Sequence, residues 1–249
     1  MNTKKVLIVI IVIALLAVAG FLFFIYRQSI SKQENNDQEQ VVALQSITIE
    51  DKKITDTKKP FNIAITYPYF QGLDDLNKKI NGIITAELDS FKKNALENDK
   101  AAQETDPEGY LNYPRQYDLN ISYKKGQVDE NVISMVFSVY NFTGGAHGMG
   151  YFVSLNYDVK NNKEIMLADL FAGQKNYLQK ISDYAKADIN KQLVARMGNA
   201  QGAWLDDGAG PKEENFSVFM INSDYLTFYF PPYQVAAYAV GDFEVKMPR

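Results

Sequence analysis

The longest apolar run of the chain covers residues 6–26 and predicts a membrane-spanning helix. It contains no charged side chain, and it is preceded by Lys4 and Lys5 and followed by Arg27. At about 1.5 Å per residue such a helix measures roughly 30 Å, which matches the hydrocarbon core of a bilayer. Basic residues at the short end favour the cytoplasmic side. We therefore expect a single-pass protein of the cytoplasmic membrane, with residues 1–5 inside and everything after residue 26 outside.

A cleaved signal peptide is the alternative to this anchor. Ala17-Val18-Ala19 offers a small-x-small cleavage pattern. However, the run continues through Phe21 to Ile25, beyond the length of an ordinary signal-peptide core. The pattern favours an uncleaved anchor and leaves cleavage open. Residues 27–45 are rich in Gln, Asn, Glu, Asp and Ser and predict a flexible linker.

The rest of the chain alternates between strand and helix patterns. The helical stripes predict two amphipathic helices, over residues 75–97 and 176–197, with Asp74 as the N-cap of the first. Period-two patterns predict strands over residues 47–49, 61–67, 117–123, 132–142, 151–159, 216–221, 225–230 and 243–247. Residues 98–114 are polar and predict a long surface loop, and Lys124 to Gln127 predict a turn.

Runs of strands interrupted by only two helices predict an α+β fold with a largely antiparallel sheet or sheets. The order of the elements suggests two sub-domains. We place the first at residues 46–110 and the second at residues 111–249, with the boundary inside the predicted loop.

Composition and charge narrow the possible ligands. The net charge is −4 and no basic block lies outside the anchor, which argues against a nucleic-acid partner. The chain has one histidine and no cysteine. Transition-metal sites usually draw on several such ligands, so we expect no metal and no cofactor. Asp206-Asp207-Gly208 lacks the spaced oxygen ligands of a calcium loop and predicts a solvated turn.

His147, the single histidine, is the one candidate catalytic residue. Gly144, Gly145, Gly148 and Gly150 surround it, so its backbone can approach a ligand closely. No Ser, Cys or acid stands at a spacing that suggests a relay. A tight connection between strands, with the ring bonded to a carbonyl group, explains the pattern more simply. We retain Gly144, Gly145 and His147 as candidate binding residues.

Aromatic residues around a Pro-Pro turn form the second candidate site. Tyr229, Phe230, Tyr233 and Tyr238 flank Pro231-Pro232 at the end of a predicted strand. The prolines end the ladder, and a rigid turn can present rings at little entropic cost. The rings can stack on sugars or anchor an interface, and packing into the core is the competing interpretation.

Several motifs also carry a family resemblance that covers nearly all of residues 47–248. The first is Tyr67-Pro68 followed by a helix with Asn81; the others are the segments NFTGGAHG, LADLF and FPPYQVA and the ending VKMP. These resemble a pair of extracytoplasmic domain-of-unknown-function families. The pair is similar to the outer half of the anti-sigma-V factor, a lysozyme receptor, and to a region ahead of the catalytic domain of a peptidoglycan deacetylase. Five residues cannot form a domain that holds a sigma factor, so the resemblance does not extend to anti-sigma activity, and no deacetylase domain is evident.

Three hypotheses follow. The first is a non-enzymatic binding module of the bacterial cell envelope, with peptidoglycan or a cell-wall-active protein such as lysozyme as its ligand. The second is a small envelope hydrolase that uses His147. The third is a sensor that acts through a separate membrane partner, with ligand capture exposing the linker to a protease.

Overall fold

A computed structural model of the chain describes residues 47–199 and 204–249. The predicted anchor and linker lie outside the described residues and stay predictions. Within the described ranges, no helix combines the length and apolarity needed to cross a membrane. The fold is α+β with mostly antiparallel sheets, as the sequence predicts.

Six strands form the first sheet, in the order β1-β2-β3-β4-β5-β6. They are β1 (Ile49–Asp56), β2 (Phe61–Phe70), β3 (Tyr117–Val128), β4 (Val132–Phe142), β5 (Met149–Asp158) and β6 (Lys163–Glu164). The β2–β3 pair is parallel, and the other four pairs are antiparallel. Parallel neighbours need a long connection, which here consists of helices α1 (Asp74–Thr105) and α2 (Pro107–Asn112).

The second sheet has the order β7-β8-β9 and is antiparallel. Its strands are β7 (Phe219–Ile221), β8 (Tyr225–Phe230) and β9 (Phe243–Pro248). Helix α4 (Tyr177–Met197) covers one of its faces, and two short helices, α3 (Leu167–Leu170) and α5 (Leu205–Gly208), lie nearby in the chain. Two single 3₁₀ turns, Glu213–Phe216 and Tyr238–Val240, complete the described elements.

Each sheet packs against one long helix, and the predicted helical stripes form these two cores. The α1 side chains buried against the first sheet include Leu76, Ile80, Ile84, Phe91 and Ala95. The α4 side chains buried against the second sheet are Ile181, Ala185, Ile189 and Leu193. Helix α4 ends where predicted, because Gly198 takes the left-handed conformation that a C-cap favours.

A buried polar bridge joins the two sheets. Ser134 Oγ donates to Asn156 Oδ1 at 2.6 Å and accepts from the Ile221 amide at 2.7 Å. Asn156 Nδ2 donates to the Phe219 carbonyl at 2.9 Å. A small apolar cluster of Val136, Met220 and Tyr229, with Phe152 and Val218 against it, lies in the same interface. Residues 47–249 accordingly form one compact unit.

The sub-domain boundary near residue 110 stays a prediction, although the hydrogen bonding crosses it. Strand β2 pairs with β3 from Phe61↔Tyr117 to Ile65↔Ile121, so the first sheet is continuous on both sides of that point. The two large cores divide the chain later, between Tyr157 and Leu167.

Three local predictions are corrected. The expected loop at residues 98–114 is mostly helical, because no breaker interrupts α1 before Pro107, and the Asp106 side chain caps α2 by accepting from the Gly109 amide. Asp74 is the first residue of α1 and not its N-cap, which is Leu73. The expected turn at Lys124–Gln127 is a register shift inside β3, and the true turn follows Val128.

Buried tyrosines give the fold a predicted alkaline limit. Burial, with the nearby Asp99 carboxylate as the second cause, raises the pKa of Tyr117 to about 12. The unfolded value is about 10, so the folded state keeps this proton while the unfolded state loses it between about pH 10 and about pH 12. The free energy of unfolding should therefore fall as pH rises through this window.

In this window the free energy of unfolding has a slope against pH. Tyr117→Phe should reduce that slope by up to about 1.4 kcal/mol per pH unit, because one proton fewer is linked to unfolding. Urea titrations at a series of pH values measure it. Tyr113→Phe is the control, since the Tyr113 side chain is 82% exposed. An unchanged slope in Tyr117→Phe would show that this hydroxyl ionises equally in both states.

Candidate functional site

The glycine-rich loop that connects β4 to β5 carries His147. Gly144 and Gly145 have φ angles of 112° and 93°, which side-chain-bearing residues rarely adopt. Asn98 Nδ2 on α1 donates to the Thr143 carbonyl at 2.6 Å and ties the loop to the helix. The loop thus has a defined path, and it leaves the side chain of His147 exposed.

The segment after β8 makes the turn that Pro231-Pro232 predicts. The Gln234 amide donates to the Pro231 carbonyl at 3.1 Å, and Gln234 Nε2 donates to the carbonyls of Gly208 and Asn215. Tyr233 lies at the centre of this turn with a φ of 72° and a side chain that is 46% exposed. A tyrosine at positive φ is strained, and such strain is found preferentially at functional sites.

These two segments meet, and their rings form a cluster that we call the aromatic trio: His147, Tyr233 and Tyr238. The His147 ring stacks on Tyr238 with 3.9 Å between centroids, and Tyr233 lies 5.4 Å from Tyr238. Tyr238 Oη donates to the Gly148 carbonyl at 2.9 Å, and His147 Nδ1 lies 2.9 Å from the same oxygen. Because that oxygen is an acceptor, Nδ1 must carry the proton.

Tyr229 and Phe230 depart from the expectation of a binding surface, because both are buried. Their exposed fractions are 2% and 0%. Strand β8 is the middle strand of its sheet, and both of its faces are covered. Tyr229 packs on Phe152 of the first sheet, whereas Phe230 packs on Phe216 in the core beneath α4. Burial removes these two rings from contact with a ligand.

A groove lies between the open face of the first sheet and the start of β9, and we call it the junction groove. Its volume is about 350 Å³, within the range of about 300–1,000 Å³ that small-molecule sites occupy. The strand register places Asn120 opposite Tyr140 and Ser122 opposite Ser138. The lining also includes Lys124, Gly150, Phe152, Pro232, Asp242 and Glu244.

The junction groove and the aromatic trio adjoin each other through the contacts of Tyr140 and Gly148. The Tyr140 side chain is 41% exposed and lines the groove. A Cβ atom at Gly148 would stand 2.4 Å from its ring, so the bare glycine backbone lies directly on Tyr140. Gly148 in turn accepts the hydrogen bond from Tyr238 in the trio.

The sequence indicated the trio's two segments separately but not the floor of the groove. The available signal was the strict alternation in β3, where Asn120, Ser122 and Lys124 are exposed between buried Leu119 and Ile121 and partly buried Tyr123. An exposed polar row on a strand with neighbours on both sides indicates an open sheet face.

The surroundings of His147 bear on the hydrolase hypothesis. The ring of His147 bonds to a carbonyl group, and no carboxylate contact of this ring is among the hydrogen bonds and ion pairs of the described residues. His147 is also absent from the lining of the junction groove. Over residues 47–199 and 204–249, no three His, Cys, Asp or Glu side chains come together as a metal cluster would require.

Fold and site together define an α+β protein of two joined modules with a groove at their junction. Residues 54–150 match the family described as "Deacetylase PdaC", and residues 168–249 match the family described as "Protein of unknown function (DUF3298)". Both domains expected from the sequence motifs are thus present, in the expected order.

Similar proteins agree with this assignment. The chain is 28% identical over 236 residues to the peptidoglycan-N-acetylmuramic acid deacetylase PdaC of Bacillus subtilis, covering 94% of this chain and 47% of that protein. It is 24% identical over 136 residues to the immunogenic protein MPT64 of Mycobacterium tuberculosis, covering 53% and 57%. The chain therefore spans about half the length of the curated relatives it matches.

A solved structure of similar fold comes from Bacteroides fragilis. This member of the DUF3298 family superposes with a TM-score of 0.58 at 20% identity, over 82% of this chain and 90% of that one. At this identity the likeness concerns the fold alone.

Proposed function

We propose that this protein is a non-catalytic module that binds peptidoglycan glycan strands. The observation that carries the proposal is that the aromatic trio adjoins the junction groove through the contacts of Gly148 and Tyr140. The groove lies between the regions that match the two families, and such a junction is a common place for ligand sites.

The lining combines the two kinds of group that a sugar chain needs. Pyranose rings have apolar faces that stack on aromatic rings, and Tyr140 and Tyr233 offer exposed rings. The hydroxyl and amide groups of the sugars need hydrogen-bond partners, which Asn120, Ser122 and Ser138 provide along the groove floor. Sheet strands hold this floor, so little order has to be acquired on binding.

The similarity to a peptidoglycan deacetylase supports the ligand class. That relative acts on peptidoglycan by its name, and the match covers most of this chain and about half of the relative. We propose that the shared half contributes attachment to the wall polymer. The predicted anchor at residues 6–26 would hold the module at the outer face of the cytoplasmic membrane, with residues 27–45 as its linker.

Binding to purified peptidoglycan tests the proposal. The full chain in detergent should cosediment with insoluble wall sacculi, and Tyr140→Ala should weaken this binding at least about tenfold, a loss of about 1.4 kcal/mol. Tyr113→Ala is the matched control, because Tyr113 is equally aromatic, more exposed and absent from the groove lining. Equal binding by both variants, or none by the parent chain, would contradict the proposal.

A cell-wall-active protein such as lysozyme remains the competing ligand. If the immobilised chain retained lysozyme but not sacculi, the ligand would be a lysozyme-like protein and not the glycan. The sensor hypothesis also stays a prediction, and an unchanged rate of linker cleavage when peptidoglycan fragments are added to cells would remove it. The hydrolase hypothesis receives no support from the surroundings of His147.

A further inference from the structure

The charges in the junction groove are unbalanced. Its lining contains one cationic side chain, Lys124, and two carboxylates, Asp242 and Glu244. Lys124 Nζ lies 2.5 Å from Glu244 Oε1, so this pair is neutral as a unit and closes across the groove from β3 to β9. The Asp242 carboxylate forms no hydrogen bond or ion pair among the contacts of the described residues. One negative charge is left in the lining.

The backbone that carries Asp242 is held firmly. Arg196 Nη1 on α4 donates to the carbonyls of Asp242 at 2.7 Å and of Val240 at 3.2 Å, and its guanidinium lies 4.2 Å over the Phe243 ring. Gln192 Nε2 donates to the Glu244 carbonyl at 2.9 Å. Arg196 thus contacts main-chain oxygens and an aromatic ring, and no cation contacts the Asp242 carboxylate among the contacts of the described residues.

An unpaired carboxylate in a groove that the exposed Tyr140 also lines is suited to an ammonium group. The carboxylate supplies a charge-assisted hydrogen bond, and the face of a tyrosine attracts a cation. The same charge repels carboxylate and phosphate groups. We propose that the junction groove binds glycans whose sugars carry free amino groups more tightly than their N-acetylated forms. Asp242 is the residue that binds the amine. This inference rests on the glycan-binding function proposed above.

Calorimetry with two matched oligosaccharides tests this preference. The probes are the tetramer of glucosamine and the tetramer of N-acetylglucosamine, each added to the full chain in detergent at pH 6, where the amines are protonated. We expect the amine form to bind about tenfold tighter at low salt, and the difference to shrink at about 0.5 M salt because charges are screened.

Two substitutions should move the preference in opposite directions. Asp242→Asn should abolish it, leaving both tetramers bound equally. Lys124→Gln should enlarge it, because Glu244 loses its partner and becomes a second free carboxylate. Asp224→Asn, in the β7–β8 turn and outside the groove lining, should leave the preference unchanged. Melting curves of each variant confirm folding.

The outcomes separate this inference from the function on which it rests. Equal affinity of the parent chain for both tetramers overturns the amine preference and leaves glycan binding standing. A preference that persists in Asp242→Asn also overturns the assignment. Binding of neither tetramer, together with no retention by sacculi, rejects the glycan function itself.

Discussion

Phe230→Ala should lower the free energy of unfolding by about 3–5 kcal/mol, because it removes a fully buried ring and leaves a cavity between Phe216 and the core under α4. For a domain of this size the melting temperature should fall by about 6–20 °C. Thermal unfolding followed by circular dichroism measures the change.

Tyr233→Ala provides the contrast within the same segment. Tyr233 is 46% exposed and already pays for a positive φ, so alanine should change the stability by less than about 1 kcal/mol. Binding to sacculi should fall in Tyr233→Ala and persist per folded molecule in Phe230→Ala. A large loss of stability in Tyr233→Ala would place its ring in the core.

Gly126→Ala should destabilise the junction of the two sheets by about 1–3 kcal/mol, since this is the usual cost of overpacking a well-packed interior. A Cβ atom at this position would stand 2.3 Å from the Ile221 carbonyl oxygen and 2.7 Å from Met220 Cγ. The obstacle is the main chain of β7, which the Ser134 bridge holds in place. Urea unfolding at pH 7 gives the free-energy difference.

Gly82→Ala is the matched control for this prediction. Gly82 lies on the exposed side of α1, and no atom approaches the position of an added Cβ atom within 4 Å. Alanine there should stabilise the protein by about 0.5–1 kcal/mol, because it restricts the unfolded chain and favours the helix. If both variants behaved alike, the contact between Gly126 and β7 would not be important.

Periodicity predicted the elements that face a single core. The stripes of α1 and α4 were readable because each helix buries one side against one sheet. The end of α1 could not be predicted in this way, because the polar composition of residues 98–105 suits an exposed helical end as well as a loop. The Gly126 region has turn chemistry, yet the close approach of β7 requires the glycine inside a strand instead.

The site was predictable in part. His147 and the turn at Tyr233 each stood out by composition, but they lie far apart in the chain and meet only through the packing of one module on the other. Tyr229 and Phe230 were predicted at the surface because the Pro-Pro turn follows them, although the mostly apolar run of β8 is typical of a strand covered on both faces. The groove floor at Asn120 and Ser122 was not recognised, because the alternation of β3 was used only to predict a strand.

The polar bridge between the sheets also has a consequence for the order in which the chain can fold during synthesis. Asn156 emerges 63 residues before Phe219, whose carbonyl it binds, and Ser134 emerges 87 residues before the Ile221 amide. Until β7 appears, the nascent first sheet exposes a face with Val136, Phe152 and the Ser134–Asn156 pair, whose hydrogen bonds to β7 are not yet formed. The first sheet can therefore assemble early, but it reaches its final packing only when the carboxy-terminal strands arrive.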